Sequence, residues 1–154
     1  MPRESIRERL LQEIMASLAH ISKQAGYWFD ITPEKVFRAE RPYRPEDLPV
    51  CVVWDGDEVG SKKEYGNQQT ALKLTVEMLV SLDGGNASQI ANRAIADLRD
   101  NIESGDHTID GLADDLALSN ATWGLPEHGS GIVAVAVTYD VTMSSIFGDP
   151  TTQP

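Results

Sequence analysis

Thr70-Ala71-Leu72-Lys73-Leu74-Thr75-Val76-Glu77-Met78-Leu79-Val80-Ser81-Leu82 decides the fold class. Leu72, Leu74, Val76, Met78, Val80 and Leu82 alternate with Ala71, Lys73, Thr75, Glu77, Leu79 and Ser81. Period two over this length predicts a half-buried strand, longer than the usual five or six residues. Asp83-Gly84-Gly85 ends it. Asn86 with Gln89 three residues on is a capping-box variant. A helix over 87–103 follows, with Ile90, Ala91, Ala94, Ile95, Leu98 and Ile102 on one face and Gly105 as its stop.

Outward from this centre the alternation returns. Over residues 132–143, Val133, Val135, Val137, Tyr139, Val141 and Met143 share one face, and Ile132, Ala134, Ala136, Thr138, Asp140 and Thr142 the other. Leu116 to Trp123 reads as a further strand, after an acidic and ambiguous stretch, 106–117. Toward the N-terminus, Val50-Cys51-Val52-Val53 reads as a buried strand, with Cys51 a core hydrophobe rather than a reactive thiol. Residues 4–25 carry Ile6, Leu10, Ile14, Leu18 and Ile21 at helical spacing, and Gly26 fits the position after the helix. Thr32-Pro33-Glu34 suits one helical turn or a loop, and 35–39 a short strand. Residues 40–49, with Pro42, Pro45 and Pro49, read as an extended linker. Asp55-Gly56-Asp57 signals a turn, and the polar stretch 55–68 predicts a long loop or the projecting tip of a hairpin. Helix, strands, helix, strands, with one polar strand face, predicts an α+β fold: a largely antiparallel sheet with two helices packed on one face. The expected layout is one domain, 1–147, and a disordered tail, 148–154.

The chain has 154 residues, enough for a single core without disulfides or metals. No apolar run reaches the roughly 18 residues of a membrane span, and the charged N-terminus does not read as a secretory signal. Thirteen Lys and Arg stand against 24 Asp and Glu, a net charge of −11. Residues 1–50 are balanced, with eight of each sign, whereas residues 51–154 hold five basic and 16 acidic side chains. Such a chain repels a DNA duplex and an anionic membrane as a whole. A neutral, arginine-bearing part of one copy can still meet the acidic part of another, the heterologous contact that closes rings.

Specific catalytic motifs are missing: there is no G-x-G-x-x-G, P-loop, G-x-S-x-G or H-E-x-x-H. His20, His107 and His128 are dispersed, and His20 falls on the polar side of the first helix. Asp106, His107 and Asp110 are read as solvated loop residues in preference to metal ligands. Asp55, Asp57 and Glu58 begin a calcium-loop rhythm that fails at Val59 and Gly60. No cofactor and no metal is expected.

Two local features remain. Arg38, Arg41 and Arg44 are spaced by three through a Pro-rich stretch, with Tyr43 beside them. A polyproline-II segment repeats every three residues, which would align the guanidinium groups for docking on a neighbouring copy; a solvated linker is the plainer reading. Tyr27-Trp28-Phe29 reads first as a core plug and second as an interface anchor, as do Trp54 and Trp123 at strand ends.

In combination these features resemble the tail terminator proteins of long-tailed bacteriophages, the minor tail protein U type. The resemblance is carried by the N-terminal amphipathic helix ending near Gly26 and by Leu48-Pro49 leading into Val50–Trp54. It continues through Asp55-Gly56-Asp57-Glu58, the polar excursion, the strand 70–82, the helix 87–103 and Val137-Thr138-Tyr139-Asp140-Val141. It covers about residues 4–143 and rests on organisation, since the family has no invariant catalytic signature. It implies a non-enzymatic virion protein, assembled in the host cytoplasm. Six copies would form a ring on the last ring of the tail tube, stop tube polymerisation and present a surface to head-completion or connector proteins. Genome DNA would pass the lumen without specific binding. The 55–68 excursion, with Asp55, Asp57, Glu58, Lys62 and Lys63, is then the candidate tube contact. Alternatives are another head–tail joining or tail-tube subunit, a small acid/base or metal-dependent enzyme, and a monomeric adaptor.

Overall fold

The structure is a computed structural model, and it describes residues 2–41, 44–126 and 130–154. The chain runs α1 (Ile6–Leu18), β1 (Val36–Arg38), β2 (Val50–Glu64), β3 (Asn67–Ser81), α2 (Ala87–Glu103), β4 (Asp115–Gly124) and β5 (Ile132–Ile146). The strands form a five-stranded sheet in the order β1-β2-β3-β5-β4. The pairings β2–β3, β3–β5 and β4–β5 are antiparallel, and β1 alone pairs in parallel, with Val36 opposite Cys51 and Arg38 opposite Val53. The protein is therefore α+β with a mixed, largely antiparallel sheet.

Both helices cover the same sheet face. The alternating rows Leu72–Val80 and Val133–Met143 meet Leu10, Leu11, Ile14 and Leu18 of α1 and Ala91, Ala94, Leu98 and Ile102 of α2 in one core. α1 lies against β1 and β2, α2 against β3 and β5, and the two helices touch. A smaller cluster sits on the other face, where Val50, Val52 and Leu79 are buried with Phe37, Leu48 and Trp54. That second cover explains why residues 50–53 are apolar without alternation: both faces of β2 are buried there. Cys51 is fully buried, and burial pushes its thiol pKa well up, which makes it unreactive.

Several expectations change. The first helix ends at Leu18, not 25. Ser22 caps a separate 3-10 turn, Lys23–Ala25, which Gly26 closes at φ 98°. Ile21 stays in the core because its carbonyl accepts the Ile31 N–H at 2.7 Å, which turns the chain back early. α2 follows its expected bounds, with the Asn86 side chain accepting the Gln89 N–H. The linker 40–49 contains a 3-10 turn, Pro45–Asp47, with Pro in its first turn. The stretch 106–114 turns and leads into β4. Residues 148–154 are not a loose tail. The Ile6 N–H donates to the Pro150 carbonyl, Arg9 to the Thr151 carbonyl and Ile146 N–H to the Thr152 carbonyl, so the C-terminus is tied to the start of α1.

Candidate interaction surfaces

The polar stretch 55–68 is the end of a hairpin. β2 and β3 stay paired out to Glu64 opposite Asn67, and β5 follows them to Ile146. Tyr65 and Gly66 form the turn, at φ 50° and 79°. Both central residues with positive φ define a turn that matches strand twist and favours Asn-Gly or Gly-Gly. The result is a three-stranded projection beyond the helices. Tyr65 at its tip is 95% exposed, and Phe147 beside it is exposed and lies 3.5 Å under the Lys63 ammonium. Lys62 pairs with Glu64 at 2.9 Å. Asp55 and Glu58 belong to the base of the projection, where both hold Arg7 of α1, at 2.8 and 3.4 Å. The Arg7 contact holds the Asp55 carboxyl below its ordinary pKa. Asp57 is exposed.

The three arginines do not share one side. Arg38 reaches α1 on the helix-covered face and pairs with Glu8 at 2.6 Å. Arg41 crosses the other face, 4.8 Å from the Trp54 ring centroid, and holds the Glu77 carboxylate from two nitrogens at 2.7 and 3.3 Å. Arg44 is exposed, with Glu46 at 4.0 Å. The physical reason is that Arg38 belongs to a strand, and strand side chains alternate sides. Ala39 then takes φ 51°, which breaks any regular three-residue repeat. Tyr43 lies outside the described residues, as does His128.

On the face without helices, a concavity of about 470 Å³ runs between the Arg41–Glu77 pair and β4. Leu79 of β3 and Ala134 and Ala136 of β5 line it, and the two alanines leave it shallow. β4 borders it as an edge strand, exposed at every position except Leu116, which is half-buried. Trp123, 44% exposed, is no core residue, whereas Trp54 is half-buried beneath Arg41.

The aromatic run divides. Tyr27 and Phe29 pack against the core, but Trp28 is 53% exposed with the Arg93 guanidinium 4.2 Å from its ring centroid. What holds this loop is Asp97 of α2. It is 3% exposed and accepts the Trp28 N–H at 3.0 Å and the Phe29 N–H at 2.9 Å. Burial raises its pKa, and the backbone N–H groups act against that. Its sequence signal is an acidic residue inside an apolar stripe: Asp97 stands three residues after Ala94 and seven after Ile90 of α2. A second polar group also reaches the core edge. The Tyr139 hydroxyl donates to Glu103 at 2.7 Å, and Arg99 holds the same carboxylate at 2.6 Å. Asp106 accepts the Thr108 N–H and hydroxyl within its own turn. Among the described residues no group of three His, Cys, Asp or Glu side chains is placed to hold a metal ion, and no helix is long and apolar enough to cross a membrane.

Compared with known proteins, the chain matches no family model, and no curated protein matches it significantly.

Proposed function

We propose that this chain is a structural virion protein that caps the end of a bacteriophage tail tube as a hexameric ring. The cap stops tube polymerisation and offers the joining surface to a head-completion or connector protein. The resemblance in element order and local sequence motivates this reading. The observation that carries it is the three-stranded projection of β2, β3 and β5 with Tyr65 at its tip. Such an extension costs backbone ordering and returns little burial to its own fold, so its use lies in contact with a partner. In this reading the tip, with Lys62 and Lys63, meets the tube. The Arg44 region and the acidic part of the next copy meet around the ring. A lumen lined from a chain of net charge −11 would let DNA slide without adhering.

The test is tube growth. Added to polymerising tail-tube protein, the chain is expected to shorten tubes and to appear by electron microscopy as a six-fold ring at one tube end. Unchanged tube lengths with bare ends would overturn the reading. Open polymers formed by the chain alone would favour a tube subunit instead.

A further inference from the structure

We propose that two copies of this chain pair antiparallel along β4, about a two-fold axis between Ser119 and Asn120, to make a continuous ten-stranded sheet. This stands apart from the ring proposal: a two-fold contact closes at two copies, whereas a ring needs head-to-tail contacts.

An edge strand presents unpaired N–H and C=O groups, and natural proteins blunt such edges with Lys, Pro, short length or a covering loop. β4 has ten residues, Asp-Leu-Ala-Leu-Ser-Asn-Ala-Thr-Trp-Gly, with no Lys, Arg or Pro and a single charge at its first position. Nine of its ten residues are exposed. The remaining device, a bulge, lies between Leu118 and Asn120, and it decides which partner fits.

A regular strand would place Leu116, Leu118, Asn120 and Thr122 on one face. The bulge shifts the phase, so that Leu116, Leu118, Ala121 and Trp123 all stand on the helix-covered face, opposite Val141, Tyr139, Val137 and Val135 of β5. Ala117, Asn120 and Thr122 take the other face. This pattern is symmetric about the bulge. An antiparallel second copy centred there sets Leu116 against Trp123, Leu118 against Ala121 and Ala117 against Thr122, each pair on matching faces. Asp115 then lies beside Gly124 of the other copy, and the two carboxylates stand at opposite ends. Moving the register by two residues sets Asn120 opposite Ala121, on opposite faces. The strand is thus complementary to itself in one register.

The area suffices. A ten-residue strand is about 34 Å long, and covering it with its two rows of side chains removes on the order of 1,200 Å² over both copies, the lower end for a specific pair. Main-chain hydrogen bonds supply the rest, as in strand addition generally. The exposed Leu118 and Trp123 side chains gain cover from the second copy.

Light scattering on a sizing column tests this with the full chain alone, from low to high protein concentration. The wild type is expected to reach twice the 16.9 kDa chain mass. Leu118→Lys places two charges in the pair and should return the chain to monomer, with an unchanged far-ultraviolet circular dichroism spectrum. Adding Ala121→Glu sets each Lys against a Glu of the other copy and should restore the dimer, weakened by high salt. A wild type that is monomeric throughout overturns the pairing, and so does a particle of any size whose mass Leu118→Lys leaves unchanged. A double variant that stays monomeric overturns the register.

Discussion

The Asp97 carboxylate of α2 accepts the backbone N–H of Trp28 with both oxygens at 3.0 Å, while the Trp28 ring itself stands outside the core. The contact reverses the usual division of labour for an aromatic residue. The main chain is what the buried carboxylate holds here, and the ring is left for Arg93. A buried N–H without an acceptor is costly, so one acidic side chain positions a loop that the helix alone would not reach.

Asp97→Ala should therefore destabilise the fold by about 1–2 kcal/mol, because it leaves two half-buried N–H groups without their acceptor. Asp97→Asn keeps one acceptor oxygen and should cost less. Urea unfolding of the three proteins checks the order. Amide hydrogen exchange at Trp28 and Phe29 reports separately whether the loop has moved.

Acid should weaken the fold through its paired carboxylates. The Arg38 contact lowers the Glu8 pKa, the Arg7 contact that of Asp55 and the Arg99 contact that of Glu103. A carboxyl whose folded pKa is depressed contributes stability above its unfolded value, here 4.5 for Glu and 3.8 for Asp, and loses it as pH falls through the folded value. Asp97 runs the other way, since its raised pKa costs stability once it ionises. Stability measured from pH 6 down to pH 2 should fall mainly below about pH 4. Replacing Arg7 and Arg38 by Gln should flatten that fall. An unchanged acid profile in the double variant would show that these pairs carry no weight.

Arg41 over Trp54 is a lesser device. Its pair with Glu77 is half-exposed at the arginine, and such pairs are worth about 0–1 kcal/mol. Arg41→Ala should cost no more than about 1 kcal/mol, including the stacking on Trp54. Thermal melting of the variant against the wild type checks that limit.

The long strands were legible because their period-two rows, Leu72–Val80 and Val133–Met143, each face one continuous core. The limits of α2 were legible from Asn86 and Gln89 at one end and Gly105 beyond the other. β4 was legible only as a strand. Its phase shift at the bulge is invisible without β5, since Leu118 and Ala121 join the same face only through their partners. The outer half of β2 was also obscure. Residues 56–64 are exposed and, Val59 apart, carry no large apolar side chain, and pairing with β3 rather than burial holds them extended. The arginine spacing misled because a three-residue repeat has meaning only in one backbone conformation, and Arg38 and Arg41 straddle the end of a strand. Asp97 lay hidden for another reason: its partners are main-chain groups, which carry no letter in a sequence.

The hairpin tip separates stability from use. Tyr65 is held at φ 50°, a region that favours Asn or Gly, and its ring is almost wholly in solvent. Tyr65→Asn, which creates an Asn-Gly turn, should stabilise the fold, a shift visible in the denaturant midpoint. If the chain caps tail tubes as proposed and the tip meets the tube, the same variant should cap them less well than wild type while unfolding later. A variant that is more stable and caps equally well would remove Tyr65 from the tube contact. A variant that is less stable would mean that the ring supports the projection itself.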